Sequence, residues 1–421
     1  MTAEIAILNR TAVALAADSV VTLSGSGGRK TYDSAEKIFQ LSHYQPIGLM
    51  IYNNSQCMNA PLEVLARAYR STLTANAFER LDQVWEGFSR YLLAFDHIAA
   101  DEEQHLQSLA RLELEALRMV HFNYQVDAIG RTARHGRAAG EAVVGSAIAR
   151  RLEEATAAAL PDYLAGRTLD EFVLRYASTV DPVIDVALDG LDLASGLRAA
   201  VHELLFALVR STIRTPQYTG FVFAGFGSMD IFPTLRWLEV DGVYFGEFRI
   251  VKQGIRDIDR RGETSAVVPF AQTDMAERFM AGIDQTFERA LSRIVSSIVG
   301  QVLEGRPRSF PAPTRERILA AAETRFREGL DQLKDGSERA LRSVVDHLSK
   351  KELGEVAYSL VELTSRKRRY SAELETVGGP IDVAILTRND GFVWVRRKHY
   401  FSSELNPQHA AGLSGGLGWR R

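Results

Sequence analysis

Thr2-Ala3-Glu4-Ile5-Ala6-Ile7-Leu8-Asn9-Arg10-Thr11-Ala12-Val13-Ala14-Leu15-Ala16-Ala17-Asp18-Ser19, residues 2–19, is the stretch whose period decides the fold. Ile5 and Ile7 alternate, Asn9-Arg10 interrupts, and Val13–Ala17 runs apolar. Two short strands around a tight turn fit this better than a helix, because the pattern breaks after only a few residues. Ser24-Gly25-Ser26-Gly27-Gly28 predicts a flexible loop. Strand-like segments resume at Lys37–Leu41 and Ile47–Tyr52, so the first fifty residues read as β-rich.

From Pro61 to about Arg214 the period changes to three and four, as at Leu62 and Leu65 and at Leu106, Leu109, Leu112, Leu114 and Leu117. Strands are predicted again at Gly220–Phe226, Thr234–Val240 and Val243–Ile250, the last two around Asp241-Gly242, a two-residue hairpin signal. Helical spacing runs from Thr273 to Leu303 and from Thr314 to about Arg369, divided by Pro307, Pro311 and Pro313. A hairpin around Asn389-Asp390-Gly391, Pro380–Leu386 with Gly391–Arg397, closes the ordered part. The order β, long α, β, long α, β is not a βαβ alternation. Hairpins from both chain ends with helices over their faces make an α+β layered sandwich.

Composition narrows the partners. The 421 residues carry 50 basic and 53 acidic side chains, a net charge of −3, so no overall field favours nucleic acid. One cysteine, Cys57, excludes an intrachain disulfide or a cysteine-rich zinc site. No apolar run reaches the roughly 20 residues of a membrane span, and Met1-Thr2-Ala3-Glu4 lacks the start of a secretory signal. A cytoplasmic protein without nucleic-acid or membrane partners is the expectation.

Three residues carry candidate chemistry. Thr2 is small enough for methionine removal, so the mature chain can begin there. An N-terminal threonine joins a hydroxyl to an amine of reference pKa about 7.7–8.0, nucleophile and base in one residue. Many proteins begin Met-Thr with no such role. Asp18 ends an apolar strand, where a carboxylate is costly unless paired; a turn-starting aspartate is the plain alternative. Lys37 is one of only two lysines, with Lys30, in the first 251 residues of an arginine-rich chain. Unlike arginine, a buried lysine tunes its pKa, though a surface lysine is the default.

Thr2, a short hairpin, Ala16-Ala17-Asp18-Ser19 with Thr22, then Lys37-Ile38-Phe39 and a strand to Tyr52-Asn53 resemble the start of a proteasome β-subunit. The peptidase subunits of bacterial ATP-dependent ring proteases are similar too. The resemblance implies a proteasome-like N-terminal-nucleophile (Ntn) hydrolase, an αββα four-layer sandwich with Thr2 as nucleophile, Asp18 beside it and Lys37 lowering its pKa. Asp18 falls sixteen residues after Thr2, as in that family, and Lys37 about three residues late, an insertion the Ser/Gly run can absorb. Phe221–Phe226 with Leu235–Gly242 looks like the family's central hairpin. Thr273 stands where it has a serine before a helix, and Val377-Gly378-Gly379-Pro380 where it has Ser-Gly-Gly. The chain departs at Val377, which replaces that serine, and at Leu374, where an aspartate is usual and Glu373 and Glu375 flank the position. The oxyanion-hole glycine aligns near Tyr52-Asn53, whose backbone N–H groups would serve.

The resemblance further implies a sandwich from residues 1–55 and 219–400 and an inserted helical region at 56–218, while Gly- and polar-rich composition predicts a loose tail at 401–421. A threonine-type peptidase or amidohydrolase follows, without cofactor or metal. It would act on polypeptide within a self-assembled homo-oligomeric ring, with an ATP-dependent unfoldase as a further partner. Thr273 and Glu375 would support the site. Two other readings stay open: an inactive scaffold or assembly protein, and a small-molecule amidase of the same fold.

Other clusters fit plainer accounts. His97, Asp101, Glu102 and His105 have helical spacing that could ligate a metal, yet a solvated helix face explains it. Arg366-Lys367-Arg368-Arg369 suits a helix C-terminus. Gly225-Phe226-Gly227 lacks the strand-to-helix context of a dinucleotide site.

Overall fold

In the computed structural model, which describes residues 2–25, 28–94, 98–130, 137–189, 191, 193, 196–305, 311–371 and 378–399, the opening stretch is an antiparallel pair, β1 (Ala3–Asn9) and β2 (Val13–Asp18). Asn9 makes the turn. Its side-chain oxygen accepts from Thr11 N, Thr11 Oγ1 and Ala12 N at 2.9, 2.8 and 3.3 Å, closing the chain as an Asx turn does. β3 (Val21–Gly25) and β4 (Gly28–Tyr32) then form a two-stranded ladder where the Gly/Ser run predicts only a loop. Val21, Thr22, Thr31 and Tyr32 are strand formers, and their propensity outweighs the glycines. β5 (Ile38–Gln40), β6 (Ile47–Tyr52) and the short β7 (Gln56–Cys57) and β8 (Ala60–Pro61) complete the first β-rich part.

Helices follow: α1 (Leu62–Arg70), α2 (Val84–Leu93), α3 (Ile98–Gly130), α4 (Arg137–Ala157), α5 (Leu169–Ala187) and α6 (Leu197–Val209). The chain then gives β9 (Thr219–Gly225), β10 (Thr234–Tyr244), β11 (Glu247–Asp257) and β12 (Ser265–Ala271). α7 (Asp274–Ala281), α8 (Gln285–Glu304), α9 (Ala312–Val345) and α10 (Lys350–Arg369) precede the closing hairpin β13 (Ile381–Thr387) and β14 (Gly391–Arg396). Among the described residues no helix is long and apolar enough to cross a membrane. The tail at 401–421 lies outside the described residues.

Two expectations for the middle strands need correction. Asp241-Gly242 is not the hairpin turn: both residues lie inside β10, at a break in its register with β11, and the chain reverses at Phe245-Gly246. Phe245 and Gly246 have φ of 54° and 76°, the left-handed pair of a tight two-residue turn. Asp241 is instead drawn inward to bond Thr215 and Arg249. β12 has no counterpart in the predicted strands. Pro269 lies within it, which an edge strand tolerates, and β12 is the edge of its sheet.

Apart from the two-stranded ladders β3-β4 and β7-β8, the strands form two five-stranded antiparallel sheets, ordered β12-β1-β2-β13-β14 and β11-β10-β9-β6-β5. β6 pairs with β9, Tyr52 opposite Gly220, so strands on either side of the helices α1–α6 are neighbours in one sheet. One apolar cluster draws on both sheets, with Ala6, Leu8, Leu15 and Leu386 from the first and Met50, Val222, Ala224 and Leu235 from the second. A second joins Ile5, Ile7 and Ala14 to Leu353, Ala357 and Leu360 of α10. A third joins Ile51, Phe221 and Phe223 to Leu65 of α1 and Trp85 and Phe88 of α2. α3–α6 hold a core of their own that includes Tyr244 of β10, with Phe245 packed against it. The two-residue period of β1 therefore matters: Thr2 and Glu4 share parity with Ala6 and Leu8, whose side chains lie among those of both sheets.

Candidate active site

The start of β1 holds a buried knot of polar side chains. Thr2, Glu4, Asp18 and Lys37 are each no more than 3% exposed. Lys37 Nζ donates to Asp18 Oδ1 at 2.5 Å and lies 3.4 Å from Glu4 Oε1. Thr2 Oγ1 donates to Glu4 Oε2 at 3.0 Å. The Glu4 carboxylate thus has the hydroxyl on one oxygen and the ammonium near the other. Asp18 does more than hold the lysine. It accepts from Ala3 N at 3.2 Å on Oδ1 and from Gly378 N at 3.0 Å on Oδ2, tying the first strand, the second strand and the segment ahead of β13 together.

The three residues singled out from the sequence therefore belong to one network. Glu4 was not among them, and it joins Thr2 to Lys37. Its signal is nonetheless present: it lies two residues from Thr2, on the same strand face, in a run otherwise apolar from Ala3 to Leu8. Burial pushes the Glu4 carboxyl up to about 7; Lys37 opposes that shift, Asp18 adds to it, and the Thr2 bond opposes it.

Other candidates sit around this knot. Thr273 precedes α7 and its hydroxyl donates to Glu277 Oε1 at 2.6 Å, while its neighbour Gln272 donates its N–H to Thr2 O at 3.1 Å. Tyr52 is buried, with its ring 5.3 Å from that of Phe270 and its hydroxyl donating to Glu239 at 3.1 Å. Gly220 across the ladder permits that ring, since a Cβ there would stand 2.2 Å from it. Asn53 turns left-handed at φ 69° and its amide donates to Pro216 O and Tyr218 O. Tyr52, Thr273, Phe270, Trp237, Tyr218 and the ion pair Arg214–Glu239 line a cavity of ≈ 610 Å³. Glu375, with Glu373, Leu374 and Val377, lies outside the described residues, but Gly378 beside them reaches Asp18.

The remaining polar clusters are held by structural contacts. Asp101 accepts from Asn59, Glu102 from Arg175, Tyr176 and Gly246 N, and His105 Nδ1 from Val243 N; His97 lies outside the described residues. Among the described residues no three His, Cys, Asp or Glu side chains form a group able to hold a metal. Cys57 and His105 line a second cavity of ≈ 150 Å³. Burial pushes the Cys57 thiol up to about 12, so it is not a nucleophilic thiolate at neutral pH. Lys367 and Arg368 pair with Asp274, and Arg366 with Glu362, which accounts for most of the basic end of α10.

No protein-family model matches the chain, and no curated protein matches it.

Proposed function

We propose that this protein is a proteasome-like N-terminal threonine hydrolase that cleaves peptide bonds or related amides. One observation carries the reading: a threonine ahead of the first strand is hydrogen-bonded to Glu4, which is ion-paired at 3.4 Å with a buried lysine that an aspartate also holds. A lysine and two carboxylates taken out of water cost several kcal/mol unless they are well paired. Such an arrangement is worth its cost where the charge is used. The finer fold belongs to the same reading: helices on the outer side of each facing sheet make an αββα sandwich, with residues 56–218 as an insertion.

After removal of Met1, Thr2 Oγ attacks the substrate carbonyl and passes its proton to the freed Thr2 α-amine, which gives it to the leaving nitrogen. The Lys37 ammonium stabilises the alkoxide as it forms, and Asp18 holds Lys37 in place and anchors the first strand. Backbone N–H groups around Tyr52-Asn53 receive the oxyanion, with Thr273 and Glu375 in support. The C–N bond breaks to leave an acyl ester on Thr2, which water hydrolyses. On this mechanism the cavity beside Tyr52 and Thr273 receives the substrate, although its lining does not include Thr2, which is 3% exposed. In this reading the protein is cytoplasmic and self-assembles into a ring fed by an ATP-dependent unfoldase. Phe287, Ile294, Ile298 and Val302, each more than half exposed along α8, offer an apolar stripe for self-association.

The test combines intact mass with turnover. The purified protein is expected to begin at Thr2 and to cleave members of a peptide library, with Thr2→Ala lowering kcat/KM by about 10³-fold or more. Preference for small amides over peptides identifies the amidase instead. Met1 retained with no turnover of either class identifies the scaffold. Turnover unchanged in Thr2→Ala ends both enzyme readings.

A further inference from the structure

The hydroxyl of Thr2 has an acceptor in place that does not depend on a free amine. Its proton points to Glu4 Oε2 at 3.0 Å, within the range for direct transfer to a general base. Lys37 does not compete for that oxygen: Nζ sits 2.5 Å from Asp18 Oδ1 and 3.4 Å from the other oxygen of Glu4. We propose that Glu4 is the general base that takes the Thr2 hydroxyl proton, with Lys37 and Asp18 as the electrostatic frame around it. This rests on Thr2 being the nucleophile, and it reassigns the proton acceptor from the α-amine to a carboxylate two residues along the same strand.

The surroundings suit the role. Glu4 is buried between Ala17 of β2 and Phe270 of β12 in the ladder. The charged or titratable groups facing it are Asp18 at the end of β2, Lys37 ahead of β5, Tyr52 on β6 and Tyr218 ahead of β9. An ordinary glutamate is too weak a base for a hydroxyl; one raised to about 7 by burial is half ionised at neutral pH and matched to the task.

The step balances. As Oγ bonds to the carbonyl carbon, its proton passes to Glu4 Oε2. When the C–N bond breaks, the same proton goes to the leaving nitrogen, leaving the acyl ester on Thr2 and Glu4 ionised again. Water then attacks the ester carbon, gives a proton to Glu4, and Glu4 returns it to Oγ as the acid departs.

The test uses p-nitrophenyl acetate on the full chain, reading the first-turnover rate of p-nitrophenolate release above that of Thr2→Ala across pH 5–9. The wild-type rate is expected to rise through neutral pH as Glu4 ionises. Glu4→Gln keeps an acceptor oxygen for the Thr2 hydroxyl but cannot take its proton, so the rate should fall by about 10²–10⁴-fold and lose that rise. Glu4→Asp should recover part of both. A Glu4→Gln rate and profile like wild type, with Thr2→Ala silent, overturns the base and leaves the nucleophile standing. A wild-type rate no higher than Thr2→Ala overturns both.

Discussion

Two buried charge clusters in this molecule are built alike and finished differently. At the junction between the helical segment and β10, Arg249 lies fully buried against Asp241, donating to it at 3.1 Å and to the carbonyls of Ser211 and Ile213. Both Asp241 oxygens are occupied, by Thr215 N, Thr215 Oγ1 and Arg249. At the start of β1, Lys37 and Asp18 are paired as tightly, but Glu4 holds only a hydroxyl and a more distant ammonium, and its proton affinity is displaced to near neutrality. The first cluster occupies both oxygens of its carboxylate and joins two parts of the fold, with Arg249 Nε left without a hydrogen-bond partner among the described residues. The second leaves one carboxyl of raised pKa beside a hydroxyl, and the proposed chemistry rests on that difference.

Substitutions sharpen that contrast. Lys37→Met should have the largest effect on stability, a loss of about 3–5 kcal/mol at neutral pH, because it strands two buried carboxylates. It also removes the opposite charge that holds the Glu4 pKa down, so the variant should take up a proton near neutral pH. Denaturant midpoints at several pH values check both effects, and a variant as stable as wild type would mean the cluster is not buried in solution. Arg249→Met should cost about 3 kcal/mol, since Asp241 keeps its two bonds to Thr215. It should leave the first-turnover rate at Thr2 unchanged; a parallel loss of that rate would join the two clusters functionally and break the comparison.

Glu4→Gln should have the smallest effect and the opposite sign. Below the ordinary glutamate value of 4.5, folded and unfolded wild type both carry the Glu4 proton, and the variant should match it. Between 4.5 and about 7 the unfolded chain loses that proton while the folded one keeps it, so wild-type stability falls as pH rises. Glutamine does not titrate. The variant should therefore be more stable than wild type by on the order of 1–3 kcal/mol at pH 8, with the gap closing toward pH 4.5. Urea melts at the two pH values measure it, and a gap independent of pH would remove the perturbed carboxyl.

Much of this is legible along the chain. The apolar alternation of residues 5–8 and the run Val13–Ala17 predict β1 and β2, and the three-and-four spacing after Pro61 predicts the helices, because those periods report which side of an element meets water. The hairpin around Asn389-Asp390-Gly391 is legible for the same local reason. The turn at Asp241-Gly242 is misleading because a buried aspartate there answers to Thr215 and Arg249, partners no window of sequence contains.

Thr2, Asp18 and Lys37 stand out by residue type and spacing, so the sequence by itself determines which groups are available for chemistry and which elements carry them. Their convergence belongs to the tertiary structure. Only there does Gly378, 360 residues from Asp18, close onto its carboxylate, and only there does Glu4 become a buried carboxyl with its pKa raised to about 7. The reason is desolvation: a carboxyl's proton affinity is set by the water taken from it, and strands from distant parts of the chain take that water away.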